Sequence, residues 1–110
     1  MKLMKKKSKK SIELAKMLYD DDKLRETNSH IIAVMVVTSI GQHILSRLPS
    51  YGKVESIKDV IKESEISGIK LPDILSSNIK LLEKVEEDIL EYSDSKLKLL
   101  FKIHSEVMSV

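Results

Sequence analysis

The hydrophobic pattern of the chain is dominated by one stretch, HIIAVMVVTSIGQHILSRL at residues 30–48. The rest of the chain is rich in Lys, Glu and Ser. A stretch of this kind has three interpretations: a membrane span, a buried strand, or the central helix of a small bundle.

The spacing within this stretch favours a helix. Its continuous apolar run, Ile31–Val37, has only seven residues, whereas a span needs about twenty, and Gln42, His43 and Arg47 follow. We therefore predict no transmembrane span. Ile40, Ile44 and Leu48 then recur every four residues, which is helical periodicity. The pattern predicts a central apolar helix at about 29–48, with a seven-residue buried strand as the weaker alternative.

Three other segments have helical spacing. The first covers residues 11–19 and ends at the aspartates of residues 20–22, which we interpret as a solvated loop. The second begins at Ser56, where a Ser-x-x-Asp sequence is a start signal. The third begins at Pro72, and Ser93-Asp94-Ser95 predicts a break within it, giving helices of roughly 72–92 and 96–108. The predicted fold is all-α: a single small bundle of four to five helices at residues 11–110, preceded by a basic arm at residues 1–10.

Charge separates this arm from the body of the chain. The first ten residues contain six lysines and no acid, so 13 of the 19 basic residues and all 17 acidic residues lie in the body. A lysine-rich arm is suited to sequence-independent contact with the nucleic-acid backbone. The predicted nucleic-acid-binding residues are Lys2, Lys5, Lys6, Lys7, Lys9 and Lys10.

The candidate chemistry is sparse. The chain has no cysteine, and its three histidines, His30, His43 and His104, lack the spacing of metal ligands. An acidic band on residues 83–94 has the spacing of a solvated helix face. We predict no catalytic residue, metal, cofactor or small-molecule substrate, and hence no enzyme. Because no secretory signal is evident, we expect a cytoplasmic protein.

Residues 56–85 resemble a helix-turn-helix arrangement in outline. The second helix would present Asp73, Ser76, Ser77, Asn78 and Lys80 to the major groove. The turn is longer than usual, and the acidic residues that follow would repel phosphate. A DNA-binding transcriptional regulator is therefore the alternative function.

The central helix is more apolar than a small chain obviously needs, which indicates a protein partner or self-association. We predict a non-enzymatic helical subunit of an oligomer or larger nucleoprotein-type complex, docking through apolar helix faces, with the lysine arm adding non-specific nucleic-acid contacts. The predicted partner-interface residues are Ile31, Ile32, Val34, Met35, Ile40 and Ile44.

Overall fold

The computed structural model describes residues 8–48, 54 and 56–109, with the side chains of residues 8–11 excluded. Within these ranges the chain forms helices and no strand. The seven helices are α1 (Ser8–Asp20), α2 (Asp22–Thr27), α3 (Ser29–Arg47), α4 (Ile57–Ile66), α5 (Asp73–Ser76), α6 (Ile79–Glu86) and α7 (Asp94–Met108). The all-α prediction is confirmed.

Helix α3 is the centre of the fold. Helices α1 and α7 pack along it most extensively, and α4 and α6 also contact it. Ten of its 19 residues are buried, among them Ile32, Val36 and Ile40, which have no exposed surface. The predicted central helix is confirmed to within one residue, because Leu48 has extended backbone and ends the helix. The strand interpretation is wrong.

By length and composition alone, α3 also satisfies the criteria for a membrane span, and it is the one helix of the described residues that does so. More than half of its most apolar window is buried inside the chain itself. Burial of this extent is what the core helix of a bundle shows, since its apolar side chains are covered by neighbouring helices.

The prediction of four to five helices is wrong, and the first extra helix is α2. The predicted loop at residues 20–22 is reduced to Asp21, which caps a new helix. Its carboxylate accepts hydrogen bonds from the backbone N–H groups of Lys23 at 3.0 Å and Leu24 at 3.1 Å. These bonds satisfy two of the donors that every helix start leaves free.

The remaining extra helix arises between residues 72 and 92, where one helix was predicted. The chain breaks at Ser77-Asn78, and the Asn78 side chain donates to the Ile74 carbonyl at 2.7 Å. Helix α6 then ends at Glu86, because Asp88 adopts a left-handed φ of 57° and the Ile89 N–H bonds back to the Lys84 carbonyl. This pairing is a Schellman ending.

Two predicted boundaries are confirmed. Ser56 caps α4 by accepting a hydrogen bond from the Asp59 N–H at 3.2 Å. A new helix also begins at the predicted break near residue 93, where Ser93 accepts from the Lys96 N–H at 3.4 Å. Both serines act as N-caps, which place a side-chain oxygen where a helix lacks acceptors.

Candidate docking surface and nearby polar groups

The six residues of the predicted partner interface divide into two groups. Ile32, Ile40 and Ile44 are at most 1% exposed and form part of the chain's own core. The prediction is corrected for these three, because a fully buried side chain is not on any surface. Ile31 is 37% exposed, and Val34 and Met35 are half-buried.

These three remaining residues share one side of α3. Positions 31, 34 and 35 follow the steps of three and four residues that line one face of a helix. Leu24 of α2 lies seven residues before Ile31, and α2 leads almost directly into α3. The Asn28 N–H bonds to the Leu24 carbonyl, and the Ile32 N–H bonds to the Asn28 carbonyl. Leu24 is 44% exposed.

We name the surface that these side chains form the outer face. It consists of Leu24, Ile31, Val34 and Met35.

The part of the outer face that lies on α3 is distinguished by the absence of charge around it, whereas Leu24 of α2 lies between Lys23 and Arg25. Residues 27–46 contain no Asp, Glu, Lys or Arg, in a chain that is 33% charged. Solvent-exposed helix faces normally carry charged side chains. An uncharged, partly exposed face is typical of a surface that another protein covers.

A buried polar pair lies between α3 and α7. Ser39 Oγ is 2.9 Å from His104 Nε2, and the two residues are 0% and 6% exposed. Burial lowers the pKa of His104 to about 4, with smaller electrostatic effects from Lys16 and His43. The imidazole is therefore neutral at pH 7. A serine beside a neutral histidine resembles a nucleophile and base, but burial closes this pair to a substrate.

A second polar cluster joins α1, α2 and the start of α7. The Tyr19 hydroxyl donates to Asp94 at 3.0 Å, and Arg25 donates to the Tyr19 carbonyl at 3.0 Å. The Arg25 guanidinium also lies 5.0 Å from the centre of the Tyr19 ring. Asp94 has a pKa below its ordinary value, chiefly because of the Tyr19 hydrogen bond. This cluster fixes the position of α2.

A cavity of about 310 Å³ opens beside the second cluster. Its charged lining residues are Asp22, Glu26, Asp94 and Arg25, and Arg25 is paired with Asp22 at 2.6 Å. The guanidinium therefore already has its partners within the chain. Sequence analysis missed both polar clusters, since their members are far apart in the chain.

The acidic band predicted on residues 83–94 is partly structural. Glu86 Oε2 accepts a hydrogen bond from the Ile57 N–H at 2.8 Å and so ties α6 to the start of α4. Burial raises the pKa of Glu86. Glu87, Asp88 and Glu91 are exposed, as expected for a solvated face.

The segment at residues 56–85 that resembles a helix-turn-helix has no continuous second helix. Asp73 and Ser76 lie in α5, Ser77 and Asn78 form the break, and Lys80 lies in α6. The Asn78 amide is hydrogen-bonded within the chain. A recognition helix inserts several side chains from one continuous turn into the groove, so this segment lacks the usual geometry.

Most of the lysine arm lies outside the described residues. This applies to Lys2, Lys5, Lys6 and Lys7, while Lys9 and Lys10 are in the first turn of α1 without described side chains. Nucleic-acid binding by the arm stays a prediction. Across residues 8–48 and 56–109, no group of three or more His, Cys, Asp or Glu side chains is arranged to hold a metal ion.

Comparisons with protein-family models, curated proteins and solved structures found no match to this chain. The geometry of the chain itself therefore carries the functional argument.

Proposed function

We propose that this protein is a non-enzymatic helical subunit that self-associates through its outer face. The occupant of that face is a second copy of the same chain. The lysine arm, in this proposal, adds salt-sensitive contacts to the nucleic-acid backbone. One observation carries the proposal: an uncharged apolar face remains partly open on the core helix of a highly charged chain.

We choose a second copy as the partner because of the charge distribution on the outer face. In a two-fold symmetric dimer the same patch meets itself, so any charged residue near the axis would face its own like charge. The part of the outer face on α3 avoids this problem, because residues 27–46 contain no Asp, Glu, Lys or Arg. A basic or acidic partner would instead be matched by a face that carries charges of the opposite sign.

The size of the outer face sets the expected affinity of the dimer. From Leu24 to Met35 the helices span about 17 Å at a rise of about 1.5 Å per residue. Stable dimers commonly bury about 800 Å² on each partner. Four partly covered side chains supply less than this, so we expect a dissociation constant on the order of micromolar or weaker.

Light scattering over a range of protein concentrations tests the proposal. We expect the average mass to rise from monomer towards dimer with concentration. Ile31→Glu places two like charges in the interface, so this variant should stay monomeric. The matched control is Ile66→Glu, which changes an exposed isoleucine on α4 and should leave the dimer intact.

Two results would contradict self-association. One is a wild-type chain that remains monomeric at every concentration. The other is equal weakening by Ile31→Glu and Ile66→Glu, which would indicate general repulsion rather than a specific face. Circular dichroism of each variant establishes that the helices are retained.

A further inference from the structure

Helix α2 differs from the other helices of the described residues, because none of its six residues is buried. Its one apolar residue, Leu24, is 44% exposed on the outer face. Isolated helices shorter than about 12 residues are marginal in water, and packing of an apolar face normally stabilises them in proteins. Such packing contributes little to α2, so polar contacts must hold this helix in place.

Arg25 joins α2 to two other helices. Its guanidinium donates to the Tyr19 carbonyl at the end of α1 at 3.0 Å, and its Nε lies 3.6 Å from Asp94 Oδ1 at the start of α7. Within α2 it donates to Asp22 at 2.6 Å. Arg25 is also the one residue of α2 that is half-buried rather than exposed. A single side chain therefore makes the contacts that fix α2 on the bundle.

The space beside this side chain is not filled by apolar packing. The cavity of about 310 Å³ lies between α2 and the start of α7, and α2 contributes only Asp22, Arg25 and Glu26 to its lining. Removing the guanidinium would enlarge this cavity. It would not expose an apolar surface of α2 that could replace the lost contact with α7.

The other end of α2 is tied to α3 through Leu24. The backbone N–H of Asn28 and its side-chain amide both donate to the Leu24 carbonyl, each at 2.9 Å. Leu24 thus supplies both the hydrogen-bond acceptor at this junction and a side chain of the outer face. Its position in the outer face consequently depends on α2 remaining helical.

We propose that Arg25 is a positioning residue for self-association: by holding α2 against α1 and α7, it keeps Leu24 in the outer face. The partner is a second copy of the chain, so this inference rests on the proposed function. It goes further by assigning part of the interface to a short helix that can unfold locally while the core stays intact. In a two-fold dimer both copies need a folded α2, so a loss of α2 stability counts twice in the affinity.

Arg25→Ala tests the inference through two measurements. At a concentration where the chain is monomeric, backbone hydrogen exchange in α2 should be on the order of tenfold faster than in the wild-type chain, because hydrogen bonds to a charged group are lost. Exchange in the centre of α3 should stay unchanged. The dissociation constant of the dimer, measured by analytical ultracentrifugation, should rise on the order of tenfold.

Three further variants make the outcomes distinct. Lys23→Ala removes the same charge from an exposed position of α2 and makes a similar change in helix propensity, so it should alter neither measurement. Arg25→Lys keeps the charge but lacks the planar group with several donors, so its effect should be intermediate. In the wild-type chain α2 exchange should slow as the concentration rises, and in Ile31→Glu it should not.

The inference is overturned if the wild-type chain dimerises and Arg25→Ala keeps its dissociation constant. It is also overturned if Lys23→Ala weakens the dimer equally, or if Arg25→Ala quickens exchange throughout α3, since Arg25 would then stabilise the whole fold. In these cases self-association through the outer face stands. A wild-type chain that never dimerises contradicts the proposed function itself, and the role of Arg25 in association with it.

Discussion

Ile31 and Ile32 are adjacent in the sequence and have identical side chains, but they point roughly 100° apart around α3. Ile32 is completely buried, whereas Ile31 is 37% exposed on the outer face. Hydrophobicity alone does not distinguish a residue of the core from a partly exposed residue of the outer face. The difference is set by the helices that pack on each side, so the two faces of α3 should respond differently to substitution.

Substitutions on the buried side of α3 should lower the free energy of unfolding most. Ile40→Ala removes a side chain with no exposed surface and leaves a cavity that its neighbours fill only in part. We expect a loss of about 2–5 kcal/mol in the free energy of unfolding, measured with urea. Ile31→Ala, on the outer face, should cost less than about 1 kcal/mol in the monomer, because water already reaches that side chain. Equal losses would contradict the distinction between the two faces.

Acid should destabilise the folded chain through the buried pair of Ser39 and His104. His104 has a pKa of about 4 in the folded chain, below the ordinary value near 6.5. Its stabilising contribution is therefore present above about pH 6.5 and is lost as the pH falls towards 4. We expect a loss of about 2 kcal/mol between pH 7 and pH 5 from this group.

His104→Gln supplies the control for this pH dependence. Glutamine retains a hydrogen-bonding group for Ser39 but does not titrate. The difference in unfolding free energy between pH 7 and pH 5 should shrink by about 2 kcal/mol in this variant. An unchanged pH dependence would show that His104 is not the responsible group.

Removing the N-cap of α2 should lower the free energy of unfolding by a smaller amount. The change should be confined to the end of the outer face that contains Leu24. Asp21→Ala removes the acceptor for two backbone N–H groups and should cost about 1 kcal/mol. Hydrogen exchange should quicken in α2, which carries Leu24, and stay unchanged in the centre of α3. Asp20→Ala is the matched control, since Asp20 lies in the last turn of α1 rather than at this cap. Equal effects of the two changes would contradict the capping role.

The sequence predicted the features of this fold that depend on local signals. The apolar density of residues 29–48 indicated the core helix, Ser56 indicated a helix start, and Ser93-Asp94-Ser95 indicated a break. These signals act within one or two turns of chain. The start of α2 was missed because three consecutive aspartates fit a solvated loop as well as they fit a cap.

The division of α3 into two faces was not predictable in the same way. Its first half is apolar almost all round, so the helical pattern has no polar side that would mark the surface. Ser39 and His104 are 65 positions apart, and only tertiary packing brings them together. The predicted interface accordingly mixed core residues with residues of the outer face.

Cysteine cross-linking tests self-association through the outer face most directly, since the natural chain contains no cysteine. In a two-fold dimer, a residue near the axis lies close to its own copy. We expect Ile31→Cys or Val34→Cys to form a disulfide-linked dimer rapidly under mild oxidation. Ile66→Cys, on an exposed position of α4, should cross-link slowly. Equal rates at all three positions, or no dimer at either outer-face position, would contradict the account.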